Sequence, residues 1–211
     1  MMIGNEKIAS TCCGIILAGG LNSRFKGRNK AFIEIDGVRI LDRIYSVFKS
    51  LFSEIIIVTN HPLRYLQWDA KIVTDIFQER SSLTGIHAGL FYATAPYAFV
   101  TACDTPFLIP ETIKAILDEL DPRFDVIIPE TADGLEPLSA VYSKRCLPPI
   151  ENQLKRRQFR IQHFFRKLPL KKISEVRLRQ TDPSLRSFLN INTPEDLQQA
   201  LHFMQDRHLN S

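Results

Sequence analysis

The chain has 211 residues, 45% of them hydrophobic and 24% charged, with a net charge of +4. Those values fit one globular domain, 1–211, long enough to bury a sizeable core, and the charge alone implies neither nucleic acid nor membrane. No apolar run approaches the roughly 20 residues of a membrane span, residues 1–10 lack the long apolar core of a signal peptide, and Cys12, Cys13, Cys103 and Cys146 form no C-x-x-C pair or disulfide framework. The expectation is a cytoplasmic protein with buried free thiols and flexible tails at 1–10 and 207–211.

In chain order, the first informative stretch is Gly14 to Phe32, GIILAGGLNSRFKGRNKAF. Ile15-Ile16-Leu17 reads as the end of a buried strand that breaks at Ala18-Gly19-Gly20. Arg24, Lys26, Arg28 and Lys30 follow. A strand that stops at paired glycines and passes into a basic loop suits phosphates, because backbone N–H groups approach an anion closely where no Cβ intervenes. The sequence contains neither G-x-x-x-x-G-K-[ST] nor G-x-G-x-x-G, so the common NTPase loop and the dinucleotide fingerprint are both excluded. From the residues alone, an ordinary turn with a solvated basic loop stands beside the anion-binding reading.

Ala31 to Ile35 reads as a short strand and Asp36-Gly37 as a turn. Ile40, Leu41, Ile44, Val47, Phe48 and Leu51 then fall on one helical face. Glu54–Thr59 is a buried parallel strand by its β-branched run, and it ends at the loop Asn60-His61-Pro62. Lys71–Asp75 is a shorter strand ending on a carboxylate. Ser81 to Leu90 is a loop feeding a capped helix. Tyr97–Cys103 is an apolar strand delivering Asp104. Pro110 starts a helix with Ile113, Ile116, Leu117 and Leu120 inside, and 125–129 and 136–143 are strand-like.

Residues 144–172 change character. Within 151–179 ten Lys or Arg stand against two Glu, a local net charge of +8 interleaved with Phe159, Ile161, Phe164, Phe165 and Leu168. One or two short amphipathic helices are expected, with a solvated face or an anionic partner to meet it. Thr193-Pro194-Glu195-Asp196 is an N-cap, a Pro in the first turn and an acidic helix start. Strands alternating with helices predict a three-layer α/β/α sandwich with a Rossmann-like, mostly parallel (mixed) sheet. Ligands in such sheets sit beyond the carboxyl ends of the strands, a rule that collects Gly19, Gly20, Asn60, Asp75 and Asp104 on one rim.

Leu17-Ala18-Gly19-Gly20, Ser23-Arg24 and Lys30-Ala31 together resemble the L-A-G-G-x-S-x-R-M-G-x-D-K-A signature of the molybdenum cofactor guanylyltransferases. The stretches from Ser81 to Leu90, Ala102-Cys103-Asp104-Thr105-Pro106, Pro137–Tyr142 and Asn190–Leu197 are similar to further elements of the same family, so the likeness runs through nearly the whole chain. It departs in the basic loop, which has one extra residue and carries Asn29 where the family has Asp, and at Ser81-Ser82, where the family has Gly-Pro. The resemblance implies the nucleotide-diphospho-sugar transferase type of fold. It implies GMP transfer from GTP to molybdopterin-bound molybdenum cofactor, with pyrophosphate released and Mg²⁺ required.

By the same resemblance, Lys30, Arg24 and Asp104 are the catalytic candidates. Leu17, Ala18, Gly19, Gly20, Lys30, Asn60, Asp75, Gly85 and Asp104 are the nucleotide-binding candidates. Asn190 and Asn192 are acceptor candidates, and Asp104 with Asn192 the metal ligands. The bare residues allow blander readings: Asp104 as a turn cap, Lys30 as a surface charge, Asn60 and Asp75 as loop caps, Asn192 as a helix cap. His87 reads as packing, and Trp68 and Tyr142 as core or cleft wall. Other cofactor-biosynthesis proteins or apo-molybdoenzymes are possible partners, and nucleic acid is not expected for want of a binding motif. A cytidylyltransferase or sugar-phosphate nucleotidyltransferase of the same fold, and a non-catalytic nucleotide- or cofactor-binding adaptor, are the competing functions.

Overall fold

The computed structural model describes residues 11–19 and 29–209. Its main sheet is ordered β10-β7-β9-β6-β1-β4-β5, with β8 pairing β7 off that path. The strands are β1 (Cys12–Leu17), β4 (Ile55–Val58), β5 (Lys71–Val73), β6 (Tyr97–Ala102), β7 (Val126–Thr131), β8 (Gly134–Leu135), β9 (Ser139–Ser143) and β10 (Leu170–Ser174). The contacts β5–β4–β1–β6 and β7–β10 are parallel, whereas β9 runs antiparallel between β6 and β7. The predicted mixed, mostly parallel sheet is therefore present.

Helices α1 (Ile40–Lys49), α2 (Ser82–Tyr92), α3 (Pro110–Leu117), α4 (Leu147–Lys155), α5 (Glu175–Arg179) and α6 (Pro194–Leu209) flank it. β1 is buried along its whole length because both sheet faces are covered, and its side chains divide alternately between two cores. Cys12 and Ile16 face one core with Ile44 and Phe48 of α1 and Ile113 and Ile116 of α3. Cys13, Ile15 and Leu17 face the other with Leu83, Ile86 and Leu90 of α2 and Ile150 and Leu154 of α4. Gly14 is the exception to this filling: a Cβ there would stand 2.5 Å from the Phe48 ring and 2.7 Å from that of Phe52, so its bareness admits both rings against the strand.

Four local readings change. Residues 31–35 are not one strand: Lys30–Phe32 is a 3₁₀ turn, and only Glu34–Ile35 (β2) is extended, pairing with Val38–Arg39 (β3) across Asp36-Gly37. Both turn residues have positive φ, 52° and 70°, as a two-residue hairpin of the right twist requires. The strand read from Glu136 begins only at Ser139, because Pro137 brings no N–H to a ladder and Ser139 N closes a turn on Glu136 O at 3.1 Å. The basic region holds α4 and a 3₁₀ run, Ile161–Lys167, as its helical pieces, but it also supplies the edge strand β10 and the short helix α5. α6 runs to Leu209, into the stretch read as a tail from 207, whose last two residues lie outside the described ones. Among the described residues no helix is long and apolar enough to cross a membrane, and all four cysteines are buried and free, as expected.

The topology places the site. From β1 the chain steps to β4 and β5 on one side, then crosses to β6 on the other. The connections leaving β1 and β6 thus part in opposite directions at the carboxyl edge, which opens a crevice there.

Candidate active site

The end of β1 is tied on both sides. Ala18 N donates to Val58 O at 2.8 Å, and Cys103 N donates to Leu17 O at 3.0 Å, so the pairing with β4 and β6 continues past the strands. Asp104 follows Cys103 directly, and its carbonyl accepts from Ile191 N at 2.8 Å, which docks the segment before α6 against it. That segment is set by its own helix start. The Thr193 hydroxyl accepts from Asp196 N at 3.2 Å, while Asp196 Oδ2 accepts from the N–H groups of Asn192 and Thr193, each at 2.8 Å. Those backbone donors hold the Asp196 carboxyl below its ordinary value.

On the opposite wall, Asn29 caps the 3₁₀ turn Lys30–Phe32, its Oδ1 accepting from Ala31 N at 3.0 Å. The capped turn points Lys30 into the crevice. Its Nζ donates to Asp104 Oδ2 at 3.1 Å and to Asn192 Oδ1 at 2.8 Å. Positions 74 and 162 residues away from Lys30 thus meet at one ammonium. The pair is mostly withdrawn from solvent, with 15% and 19% of the Lys30 and Asp104 side chains exposed, so its attraction is weakly screened.

A second pair stands at the ends of β4 and β5. Asn60 Nδ2 donates to Asp75 Oδ2 at 2.7 Å, and the face of Gly19 that lacks a Cβ looks toward Asn60. Burial raises the Asp75 carboxyl above its ordinary value, against the opposing pulls of Asn60 and Arg80. Of the residues that the sequence collects on one rim, Gly19, Asn60, Asp75 and Asp104 stand at the strand ends, and Lys30 and Asn192 join Asp104 there. Gly20, Arg24, Lys26 and Arg28 lie outside the described residues.

Other candidates are placed differently. Gly85 is buried early in α2, where a Cβ would come 3.2 Å from Leu17 Cδ2, so it lets helix and strand approach and Leu17 points at the helix. Asn190 is exposed and its amide donates to Phe188 O at 3.4 Å. His87 is buried in packing, ringed by Phe77 and Phe91 with Nε2 3.2 Å from Glu151. Trp68 and Tyr142 are core residues whose polar atoms donate to Asp42 and to Pro137 O.

Sequence reasoning missed Tyr65. It is fully buried, and its hydroxyl receives Asn29 Nδ2 at 2.7 Å and donates to Ala18 O at 3.2 Å. No motif marks it; it stands in an irregular loop after β4, in the turn Pro62–Tyr65.

Among the described residues no three His, Cys, Asp or Glu side chains group as a metal cage. What the site offers a cation is one carboxylate and one amide oxygen, both already turned toward a single positive centre, the Lys30 ammonium. Hard oxygens in that number suit an ion whose remaining ligands are waters and phosphates.

A family model for the MobA-like NTP transferase domain matches residues 14–173, from β1 to β10. The chain belongs to the MobA-like NTP transferase family. Its relatives in that family match over most of their length. A molybdenum cofactor guanylyltransferase of Desulfosudis oleivorans is 50% identical over 187 residues, covering 89% of this chain and 93% of that protein. A probable molybdenum cofactor guanylyltransferase of Natranaerobius thermophilus is 36% identical over 195 residues, covering 90% and 95%. The crystal structure of molybdopterin-guanine dinucleotide biosynthesis protein A from Archaeoglobus fulgidus superposes with a TM-score of 0.82 at 25% identity, covering 92% of this chain and 98% of that one. Asn192 lies beyond the residues that the family model spans, so the site's third corner comes from the segment that leads into α6 rather than the matched core.

Proposed function

We propose that this MobA-like enzyme transfers GMP from GTP to the molybdenum cofactor and releases pyrophosphate. One observation carries the reading: the Lys30 ammonium joins Asp104 and Asn192 at the crevice where β1 and β6 diverge. In the reaction an oxygen of the cofactor's terminal phosphate forms a bond to the α-phosphorus of GTP as the bond to the β-phosphate bridging oxygen breaks. The pyrophosphate carries away that electron pair. The attacking phosphate is already an anion, so no side-chain nucleophile or general base is needed. The protein's work is alignment and compensation of charge.

Lys30 supplies a positive charge that is already positioned, so little reorganisation opposes its use on the triphosphate. N–H groups in the Gly19 segment, where close approach is open, receive phosphate oxygens, and Arg24 is assigned to the leaving pyrophosphate. Asn60 and Asp75 take the nucleoside: the amide offers donor and acceptor, the carboxylate accepts from base or ribose. Asp104 and Asn192 are the oxygens that would hold a divalent ion, Mg²⁺ in this proposal, which supplies neutralisation of the triphosphate charge.

The test is pyrophosphate release from GTP, CTP, UTP and ATP, each with Mg²⁺ and molybdenum-loaded molybdopterin. Release with GTP, and its loss in Asp104→Ala, is the expected result. Turnover with CTP alone would make the protein a cytidylyltransferase. Nucleotide binding without release under any condition would make it an adaptor.

A further inference from the structure

We propose that Tyr65 is a positioning residue for this transfer, a latch whose single hydroxyl holds Ala18, at the end of β1, and Asn29, at the start of the Lys30 turn. The inference rests on the proposed GMP transfer and adds a residue to it.

The hydrogen bonds around Tyr65 have a forced direction. Asn29 Oδ1 accepts from Ala31 N at 3.0 Å, which settles the amide orientation and turns Nδ2 toward Tyr65. An amide nitrogen only donates, so the Tyr65 oxygen must accept at 2.7 Å. Its one proton is then left for Ala18 O, which lies 3.2 Å away. Ala18 N is already committed to Val58 O, so both polar groups of Ala18 are fixed. The orientation of the next peptide, whose N–H belongs to Gly19, is set by the same contact. On the other branch, Asn29 carries Lys30 as the first residue of its capped turn.

One side chain therefore governs two parts of the site, the Gly19 N–H and the Lys30 ammonium. Burial, and after it the neighbouring Cys103, push the Tyr65 phenol above its ordinary value, against the hydrogen bonds of Asn29 and Thr59. Its ring is separately held, 5.3 Å from Phe32 and 5.8 Å from Trp68 between centroids. Ring packing and hydroxyl function can thus be separated by mutation.

Tyr65→Phe keeps the ring and removes the hydroxyl's bonds with Asn29 Nδ2 and Ala18 O, together with its contact to the Thr59 side chain. In the folded variant, kcat for pyrophosphate release from GTP is expected to fall about 10- to 100-fold, the scale of a misplaced catalytic group, with KM for the molybdenum cofactor unchanged. Asn29→Ser keeps a cap acceptor for Ala31 N but loses the donor to Tyr65, so a smaller loss is expected. Because both changes cut one chain of contacts, the double variant is expected to be no slower than Tyr65→Phe alone. Wild-type kcat in Tyr65→Phe, a loss that only tracks the fraction unfolded, or additive losses in the double variant would each overturn the latch. If wild-type protein transfers no GMP, the functional reading fails first, and the dissociation constant for GTP–Mg²⁺ still tests the latch. A weakening of about 10-fold in Tyr65→Phe supports it, and equal affinity sinks it.

Discussion

On the β6 side of β1, an ammonium, a carboxylate and an amide oxygen meet with their charge balanced. On the β4 side, an amide meets a carboxylate, and burial outweighs both Asn60 and the more distant Arg80 in setting its proton affinity. The difference separates two tasks. The balanced cluster is a fixed electrostatic instrument, stable as it stands and ready for charge that develops elsewhere. The other corner holds an under-compensated carboxylate, and such a group gains most when a ligand's donors arrive. Recognition suits that corner, and charge handling suits the first.

Separating Lys30 from Asp104 is expected to have the largest effect. Lys30→Gln or Asp104→Asn should lower turnover by about 10²–10³-fold, the range seen when one preorganised charge-stabilising group is lost. Single-turnover rates at saturating GTP would show whether chemistry carries the loss; an unchanged rate in either variant would dissolve the assigned division of labour.

Asp75→Asn should act on selection. KM for GTP is expected to rise about 10-fold, with a reduced preference over the other nucleotides, because the half-buried acceptor proposed to meet substrate donors has been replaced. Its stability has a definite sign with pH. The folded-state pKa of Asp75 lies above the unfolded value, so its favourable contribution is complete below the ordinary carboxylate range and is lost as pH rises through the raised value. Asparagine does not ionise, so the variant should gain in melting temperature over wild type as pH is raised from 4 to 8. A constant difference across that range would show that Asp75 is compensated after all.

Asp196 provides the opposite sign. Its folded pKa is lowered by the backbone donors of Asn192 and Thr193, so its contribution is present above the ordinary carboxylate range and lost as pH falls through the lowered value. Asp196→Ala should loosen Asn192 and cut turnover less than 10-fold. It should also flatten the acid side of the melting profile, and an unaltered profile would contradict the cap. The smallest effect on turnover is expected far inside the molecule. Gly14→Ala must displace the Phe48 and Phe52 rings, at a cost of about 1–3 kcal/mol. It should lower the melting temperature while leaving kcat of the folded fraction as it was.

Much of the frame was legible in the residues. β1, β4 and β6 are apolar runs bounded by turns, α1 shows its stripe at helical spacing, and Ser81 and Thr193 announce the helices that follow them. β10 was illegible because Lys171 and Lys172 look like a solvated face. In the structure they meet Glu119 and Glu130, on segments 52 and 42 residues away, and line an exposed sheet edge, where lysines are common. The 3₁₀ turn at Lys30 was hidden for a similar reason: a cap from Asn29 decides it, and Asn29 is oriented by Tyr65.

By itself the sequence determined the alternation of strands and helices, the strand ends that deliver Asp104 and Asn60, and the short motifs that tie Lys30 to a phosphate-handling lineage. These are local properties, written in periodicity and in neighbouring residues. The tertiary structure alone decided that Lys30 reaches Asn192, that Gly85 lies against Leu17, and that a tyrosine in an unmarked loop sits beneath the end of β1. Those outcomes depend on hydrogen bonds between segments far apart in the chain, and such a bond exists only once the sheet has brought its partners within about 3 Å.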